Sequence, residues 1–339
     1  MEPFTGEIQD ERFGMDGVLL IDKPRGMTSH DVVDRVRKIV RMRRVGHTGT
    51  LDPLATGLLI VCMGRATRIS RFLTGLPKEY SGTIRLGAIS STYDAEGAIE
   101  EQGKPLPEDR GNIEAAMATQ LGLRMQTAPP YSAVKVRGKK LYEYARQGEE
   151  VPQKHRRVQI NRFEAMDYEE PVLRFESRVG SGTYIRSMAH DLGLQLGCGA
   201  YLETLRRTSV GSFRVDESVP LSTLMETPEL WESRVLTVAE ALAHLPRVTI
   251  APEAERALMH GRGFTSQDIY EAEFLPKASD LVLVVNDSGT AISIVQGEII
   301  KPGEAEPTPG GGPTPKVATK GDRALFFKPV SVLAQNEGK

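Results

Sequence analysis

The sequence predicts an α+β fold: a mixed or antiparallel sheet flanked by helices, followed by a small C-terminal β-rich unit. Three observations predict it. Short apolar strand runs and amphipathic helical runs are interleaved, yet they follow no regular βαβ period. From about Val248 the pattern changes to paired hairpin-like runs. The chain has 339 residues, enough for a sizeable core and two domains.

The elements follow in order. Gly17 to Ile21 is a short apolar strand, and the Lys23-Pro-Arg-Gly turn follows it. Thr28 and Ser29 offer helix N-caps. Val32, Val33, Val36, Ile39 and Val40 recur at helical spacing with Arg35, Arg37, Lys38 and Arg41 between them, which predicts a helix with an apolar stripe and a basic outer side. Leu58 to Met63 is an unbroken apolar run between glycines, hence a buried strand. Arg65 to Leu73 reads as a helix, Tyr80 to Leu86 and Ser132 to Val136 as strands, and Lys139 to Arg146 as a helix. Val158 to Met166 and Val172 to Val179 are further strands. Thr183 to Leu196 is a helix stopped by Gly197. Leu205 to Val215 closes the unit as a strand pair or bent strand, near Leu221. Leu236 to Leu245 reads as a connecting helix. The second unit holds a helix (Pro252 to His260), the runs Leu281 to Asn286 and Thr290 to Gln296, and a strand from Ala324 to Leu333. The Pro/Gly tract 301–316 reads as a loop. The expected division is a polar extension at 1–16, a catalytic domain at 17–221, a helical connection at 222–247 and a C-terminal domain at 248–339.

Composition excludes several classes. At 40% hydrophobic and 26% charged residues the chain reads as soluble and globular. No apolar run approaches the roughly 18 residues of a membrane span. Met1 to Asp16 is polar and lacks a signal-peptide core, so the cytoplasm is expected. Two cysteines, Cys62 and Cys198, exclude a disulfide framework. The histidines show no ligand spacing, so no metal is expected. A net charge of −2 excludes a globally basic nucleic-acid binder, but the charge is unevenly placed. Lys23 to His47 carries eight basic residues against two acids, a net of +6, whereas Ala251 to Gly310 carries four bases against ten acids, a net of −6. That asymmetry predicts a localised anion-binding face.

Chemistry concentrates in Gly46-His-Thr-Gly-Thr-Leu-Asp-Pro-Leu-Ala-Thr-Gly57. Three glycines and a proline in twelve residues preclude a regular element. The stretch lies between the basic helix and the buried strand, where rigid elements hold a shaped loop. Its single carboxylate, Asp52, is either a turn former before Pro53 or a catalytic group. His47 lies in the same loop. The second stretch, Gly180-Ser-Gly-Thr-Tyr-Ile-Arg-Ser187, ends a strand and opens a helix. Arg186 in the first turn opposes the helix dipole, so a carboxylate partner is expected: a structural salt bridge, or an arginine that keeps a catalytic aspartate ionised. Tyr80 and Tyr184 sit beside charged or Gly-rich residues. Each is either a core aromatic with a polar handle or a surface for stacking on a base.

These stretches carry a family resemblance. GHTGTLDPLATGLL resembles the catalytic motif of the TruB family of tRNA pseudouridine synthases. GVLLIDKPRGMTSHDVV, LPKEYSGTIRLG, APPYSAVKVRGKKLYEYAR, GTYIRSMAHDLG and LETLRRTSVGSF resemble the family's other signatures, in family order. The resemblance covers about residues 17–215 and is closer to the stand-alone bacterial type than to the guide-RNA-dependent type.

The resemblance implies a pseudouridine-synthase fold with a PUA-like C-terminal domain, and an isomerase acting on uridine 55 in the tRNA T-loop. The family flips its uridine out of the RNA, as enzymes that do chemistry on a base must. Asp52 then attacks the nucleotide, the glycosidic bond breaks, and the uracil turns and rejoins through carbon. Arg186 would keep Asp52 anionic. Tyr80 would stack on the flipped base and relay a proton. His47 would hold the tRNA loop where the base leaves, and Tyr184 with the backbone near Leu205 would line the pocket. Lys23 and the basic helix would support the loop and contact phosphates. No cofactor and no metal are implied. The expected partner is the tRNA T-loop and T-stem, with no membrane association, and the expected state is a monomer. Two readings of other classes compete: a tRNA-folding chaperone that opens the T-loop, and a guide-RNA-dependent subunit of an RNA–protein particle.

Overall fold

The computed structural model describes residues 15–272, 276–277, 279–300 and 324–333. The polar extension up to residue 14 and the Pro/Gly tract 301–316 lie outside them.

The chain begins with β1 (Gly17–Lys23), α1 (Ser29–Ile39), β2 (Val45–His47), β3 (Thr56–Met63) and β4 (Lys78–Leu86). It continues through α2 (Arg110–Ala118), β5 (Gly122–Thr127), α3 (Leu141–Arg146), β6 (His155–Glu169), β7 (Val172–Val179), α4 (Ile185–Leu196), β8 (Ala200–Val210), β9 (Phe213–Arg214) and β10 (Val219–Pro220). The strands build one ten-stranded sheet in the order β10-β1-β3-β8-β4-β7-β6-β5, with β2 paired to β3 and β9 to β8. Most pairs are antiparallel. Only β1 with β10 and β3 with β8 are parallel among these, so the sheet is mixed.

Alternation along β1 and β3 explains why both read as unbroken apolar runs. Leu19, Ile21, Leu59 and Val61 face α1, where they pack on Val32, Val33 and Val36. Val18, Leu20, Leu58 and Ile60 face the other way and pack against Leu283, Ile294 and Leu333 of the C-terminal unit. A strand covered on both faces has no polar side to show. Helix α1 is set by a capping box: Asp31 N–H donates to Thr28 Oγ1 at 3.1 Å, and Thr28 N–H donates to Asp31 Oδ2 at 2.8 Å. On the other half of the sheet, α2 and α4 pack Ile113, Met117, Met188 and Leu192 onto Ile84, Leu173 and Phe175.

Several local expectations shift. The helix expected over Arg65 to Leu73 is a 3-10 turn, Gly64–Ile69, running into one short α-turn, Ser70–Thr74. The strand expected over Ser132 to Val136 shrinks to Lys135–Val136, one arm of a two-residue hairpin with Lys139–Lys140. The connecting helix at Leu236 to Leu245 is only Val238–Ala241. Between Leu86 and Ser132, where no element was expected, α2 and β5 form.

The C-terminal unit comprises β11 (Arg247–Ile250), α5 (Pro252–Met259), β12 (Phe264–Thr265), β13 (Ile269–Ala272), β14 (Leu281–Val285), β15 (Ala291–Ile300) and β16 (Ala324–Val332). Its six-stranded sheet runs β12-β16-β15-β14-β11-β13. Besides the shared apolar cluster, Arg68 and Arg71 donate to the Val332 and Val330 carbonyls at 2.9 and 2.6 Å.

Candidate active site

Four neighbours pin the loop between β2 and β3. Ser29, at the start of α1, accepts from Leu51 N–H at 2.8 Å and donates to Leu51 O at 3.1 Å. Gly26 N–H donates to Pro53 O at 2.8 Å. Lys23 has no exposed surface, and its ammonium donates to Met27 O at 2.7 Å, Pro24 O at 3.0 Å and Pro53 O at 3.5 Å. Arg207 on β8 is also fully buried and donates to Leu58 O at 2.6 Å and Gly49 O at 3.1 Å. Gly57 lets β3 leave the loop against this strand: its φ is 101°, and a Cβ there would meet Arg207 O at 2.3 Å. The backbone on both sides of Asp52 is thus held before any ligand arrives.

Asp52 lies opposite Arg186, in the first turn of α4. Arg186 Nε is 3.1 Å from Asp52 Oδ2, and Nη2 donates to Oδ1 at 3.3 Å. The Nε–H is not aligned along its line, so the fork is in place but not fully closed. The Arg186 side chain is 7% exposed, whereas that of Asp52 is 38% exposed and open to an incoming group. A second carboxylate completes the network: Arg186 Nη1 lies 3.4 Å from Asp94 Oδ2 and from Thr92 O, and Nη2 donates to Tyr131 O at 3.1 Å. Asp94 is itself fixed, accepting from Thr92 Oγ1 at 2.5 Å and Glu96 N–H at 3.1 Å. Two anions offset the cost of a guanidinium at the positive end of a helix.

Burial pushes the Asp52 carboxyl above its ordinary value; Arg186 and Lys23 oppose that push and Asp94 adds to it. The Arg186 contact favours the anion, but burial outweighs it. Burial lowers Lys23 to about 8 against the pull of Asp52 and Glu96. Lys78, buried beside Arg207 with its ammonium on Thr74 O and Leu76 O, is lowered to about 8 by burial and Arg207.

The remaining expected residues fall around this pair. Tyr80 and Leu205, on the neighbouring strands β4 and β8, pack in one cluster with Leu51, Leu54 and Ile185. Tyr184 caps α4 in extended backbone; its amide donates to Gln126 Oε1 at 2.8 Å and its carbonyl accepts from Gln126 Nε2 at 3.0 Å. Its ring lies 6.0 Å from the Arg186 guanidinium and 5.1 Å from that of Arg156. His47 is half-buried on β2, and its Nδ1 accepts from Gly49 N–H at 3.3 Å. Burial, then Arg207 and His30, lower its pKa. Lys23 corrects the expectation of a phosphate contact: a fully buried ammonium on three carbonyls holds the loop from beneath and cannot reach RNA. Arg37 is a second correction. It pairs with Asp34 and donates to Arg43 O and Val45 O at 3.1 Å each, so it closes the turn after α1 instead of facing outward.

Sequence reasoning missed Ser29 as a clamp, Asp94, Gln126 and the Tyr131 carbonyl. It read a strand and a helix within residues 128–152 but gave their charge no role, although Lys135, Arg137, Lys139, Lys140 and Arg146 stand against a single acid, Glu143, over twelve residues. There Lys139 sits 4.3 Å from the Tyr144 ring centre, and Lys140 and Arg146 sit 5.3 and 5.2 Å from that of Tyr142. Among the described residues no group of three or more His, Cys, Asp or Glu side chains is placed to hold a metal, and no helix is long and apolar enough to cross a membrane.

The mixed sheet with its C-terminal β unit is the fold of Cbf5 pseudouridine synthases. A crystal structure of a Cbf5–Nop10–Gar1 complex matches with a TM-score of 0.66 and 29% identity, over 83% of this chain and 78% of that one. An H/ACA RNP bound to a substrate RNA containing 2′-deoxyuridine matches at 0.68 and 25%, over 95% and 86%. The family model for the N-terminal domain of TruB family pseudouridylate synthases matches residues 37–185, and that for the tRNA pseudouridylate synthase B C-terminal domain matches residues 186–252. The tRNA pseudouridine synthase B of Opitutus terrae is 46% identical over 67% of this chain and 95% of its own length. Those of Syntrophotalea carbinolica and Geobacillus thermodenitrificans are 40% and 38% identical, over 80% and 86% of this chain and 89% and 98% of theirs. The chain belongs to the TruB family of pseudouridylate synthases.

Proposed function

We propose that this protein isomerises uridine 55 in the T-loop of tRNA to pseudouridine, with Asp52 as the nucleophile. One observation carries the reading: the Asp52 carboxylate is gripped by a buried arginine yet stays open to solvent, on a loop pinned from both sides. That arrangement suits a group that must attack, and is wasteful for a turn former. It also distinguishes this reading from a pure folding chaperone, which needs no fixed carboxylate.

In this reading the uridine leaves the RNA stack and enters beside Asp52. The Asp52 carboxylate attacks the nucleotide and the C1′–N1 bond breaks, its electron pair leaving with the uracil. The uracil turns, C5 bonds to C1′ as the bond to Asp52 breaks and frees its carboxylate, the C5 proton is lost and N1 takes up a proton. Arg186 orients the carboxylate and offsets its charge while the leaving uracil takes up negative charge. Tyr80 stacks on the base and relays the proton, Tyr184 and Leu205 wall the pocket, and His47 holds the loop that the base has left. Lys23 supports the loop.

The exposed bases of α1 and its turn (Arg35, Lys38, Arg41) and of residues 128–152 neutralise phosphates. We assign residues 17–221 to the catalytic domain and 248–339 to a PUA-like domain, and read the protein as a cytoplasmic monomer. The test is to incubate the purified protein with an unmodified tRNA transcript and map pseudouridine by position. The reading predicts conversion at uridine 55 without added RNA or cofactor; conversion elsewhere only, or none, rejects it.

A further inference from the structure

The Asp94–Arg186 contact depends on a turn whose own hydrogen bonds include Tyr93 N–H to Ser90 O at 3.0 Å and Ser90 Oγ to Asp94 O at 2.5 Å. Tyr93, between Thr92 and Asp94, has φ at +66°, a left-handed conformation uncommon for a bulky aromatic residue. Such a conformation persists where its surroundings over-determine it. Beyond the turn's own hydrogen bonds, two further sets of contacts do so. The backbone is stitched to β8: Leu202 N–H donates to Tyr93 O at 3.0 Å and Ala95 N–H donates to Leu202 O at 2.9 Å. The side chain lies flat on His190, with ring centroids 3.7 Å apart and planes 8° from parallel.

His190 is on α4, one helical turn beyond Arg186, so both point from the same side of that helix. The turn therefore meets α4 at two successive levels. At the first, Arg186 Nη1 takes Thr92 O and Asp94 Oδ2, the groups flanking Tyr93. At the second, the Tyr93 ring covers the imidazole. His190 Nδ1 is buried with no hydrogen-bond partner, and burial lowers the ring's pKa, so a neutral imidazole is kept where it forms no hydrogen bond through that nitrogen. A histidine retained there contributes its flat face. Burial, with Asp191 beside the pair, raises the Tyr93 hydroxyl and so keeps that group neutral as well.

We propose that the Tyr93–His190 stack is a positioning device: it locks the Thr92–Asp94 turn onto α4 and so sets the Arg186 fork against Asp52. The inference rests on the isomerase reading above. Neither ring need touch the RNA. A lock of this kind changes the rate of the chemical step and leaves binding alone, since a small misplacement of a catalytic group costs rate steeply.

The test uses the full chain and single-turnover kinetics on unmodified tRNA. Tyr93→Gly removes the ring while accepting the positive φ, and His190→Ala removes the other half without touching the turn. Each is expected to slow the step by about tenfold or more with tRNA affinity and melting temperature close to wild type. Tyr93→Phe and His190→Phe keep a flat ring and are expected to restore the rate. Tyr93→Gly combined with Asp94→Asn should be no slower than Asp94→Asn alone, because both act through one contact. Wild-type rates in Tyr93→Gly and His190→Ala, losses confined to tRNA affinity, or fully additive effects with Asp94→Asn overturn the proposal. A wild-type protein that leaves tRNA unmodified sinks the parent reading with it, whereas an active enzyme indifferent to both rings sinks this one alone.

Discussion

Asp52 sits in an environment that works against its charge. Burial raises its pKa above the ordinary 3.8 while Arg186 and Lys23 pull it down. A carboxyl whose folded pKa is raised costs stability when ionised. That cost is present above the folded pKa and vanishes once the group is protonated in both folded and unfolded states. Asp52→Asn is therefore expected to melt at a higher temperature than wild type near neutral pH, with the gap closing as the pH falls towards the ordinary carboxylate range. Calorimetry at the two extremes checks it, and equal melting temperatures at neutral pH would refute the assigned direction. The same residue limits activity in acid: turnover should fall as the pH drops through a value above 3.8. Arg186→Lys keeps a charge but not the two-pronged fork, and a loss of roughly a hundredfold in kcat is expected; an unchanged kcat would reduce Arg186 to a structural ion pair. Asp52 and Arg186 stood out in the sequence as a lone acid in a Gly-rich loop and a cation at the wrong end of a helix, but each had an ordinary structural reading and the family resemblance supplied their roles. Asp94 did not stand out, because Thr-Tyr-Asp-Ala-Glu-Gly reads as an ordinary turn and only the fold carries it to Arg186.

At the scale of elements, periodicity found the strands and helices that bury a continuous face, such as α1 and β3. It missed those that do not. In α2 only Ile113 and Met117 are buried over nine residues, and β5 is an edge strand with Leu123 and Met125 turned to solvent. A polar helix and an exposed apolar edge both break the patterns on which such reading depends. In residues 128–152 the helix was expected but its role was not: the segment buries little, and its short hairpin and helix carry charge instead. Its function is expected to show in salt dependence. Replacing Lys135, Lys139 and Lys140 with alanine should weaken tRNA binding and flatten the plot of log affinity against log salt by about 2, since each phosphate that a lysine neutralises adds roughly 0.7 to 0.9 to that slope. An unaltered slope would leave these lysines as a solvated surface.

Across the whole molecule, the two sheets share one apolar cluster. Val18, Leu20, Leu58 and Ile60 of the large sheet pack with Leu283, Ile294 and Leu333 of the small one. β1 and β3, the strands beneath the aspartate loop, are thus covered on one face by α1 and on the other by the C-terminal unit. Damage at that contact should reach the whole protein. Ile294→Ala is expected to cost about 2–5 kcal/mol in urea unfolding, and to do so in a single transition followed equally by a probe in either sheet. Two separate transitions would show that the units are independent. The net charge of −6 over residues 251–310 fits a unit that buttresses the catalytic sheet with its apolar face, and sequence alone had no means to show which face that was.

Isomerisation to pseudouridine replaces the hydrogen on C5 with a bond to the sugar, so uridine labelled with tritium at C5 reports each turnover by releasing its label to water. With a labelled tRNA transcript, the wild-type protein should release label from one uridine per molecule, and Asp52→Asn should release none while binding the tRNA as tightly. Release by Asp52→Asn at the wild-type rate would contradict the account.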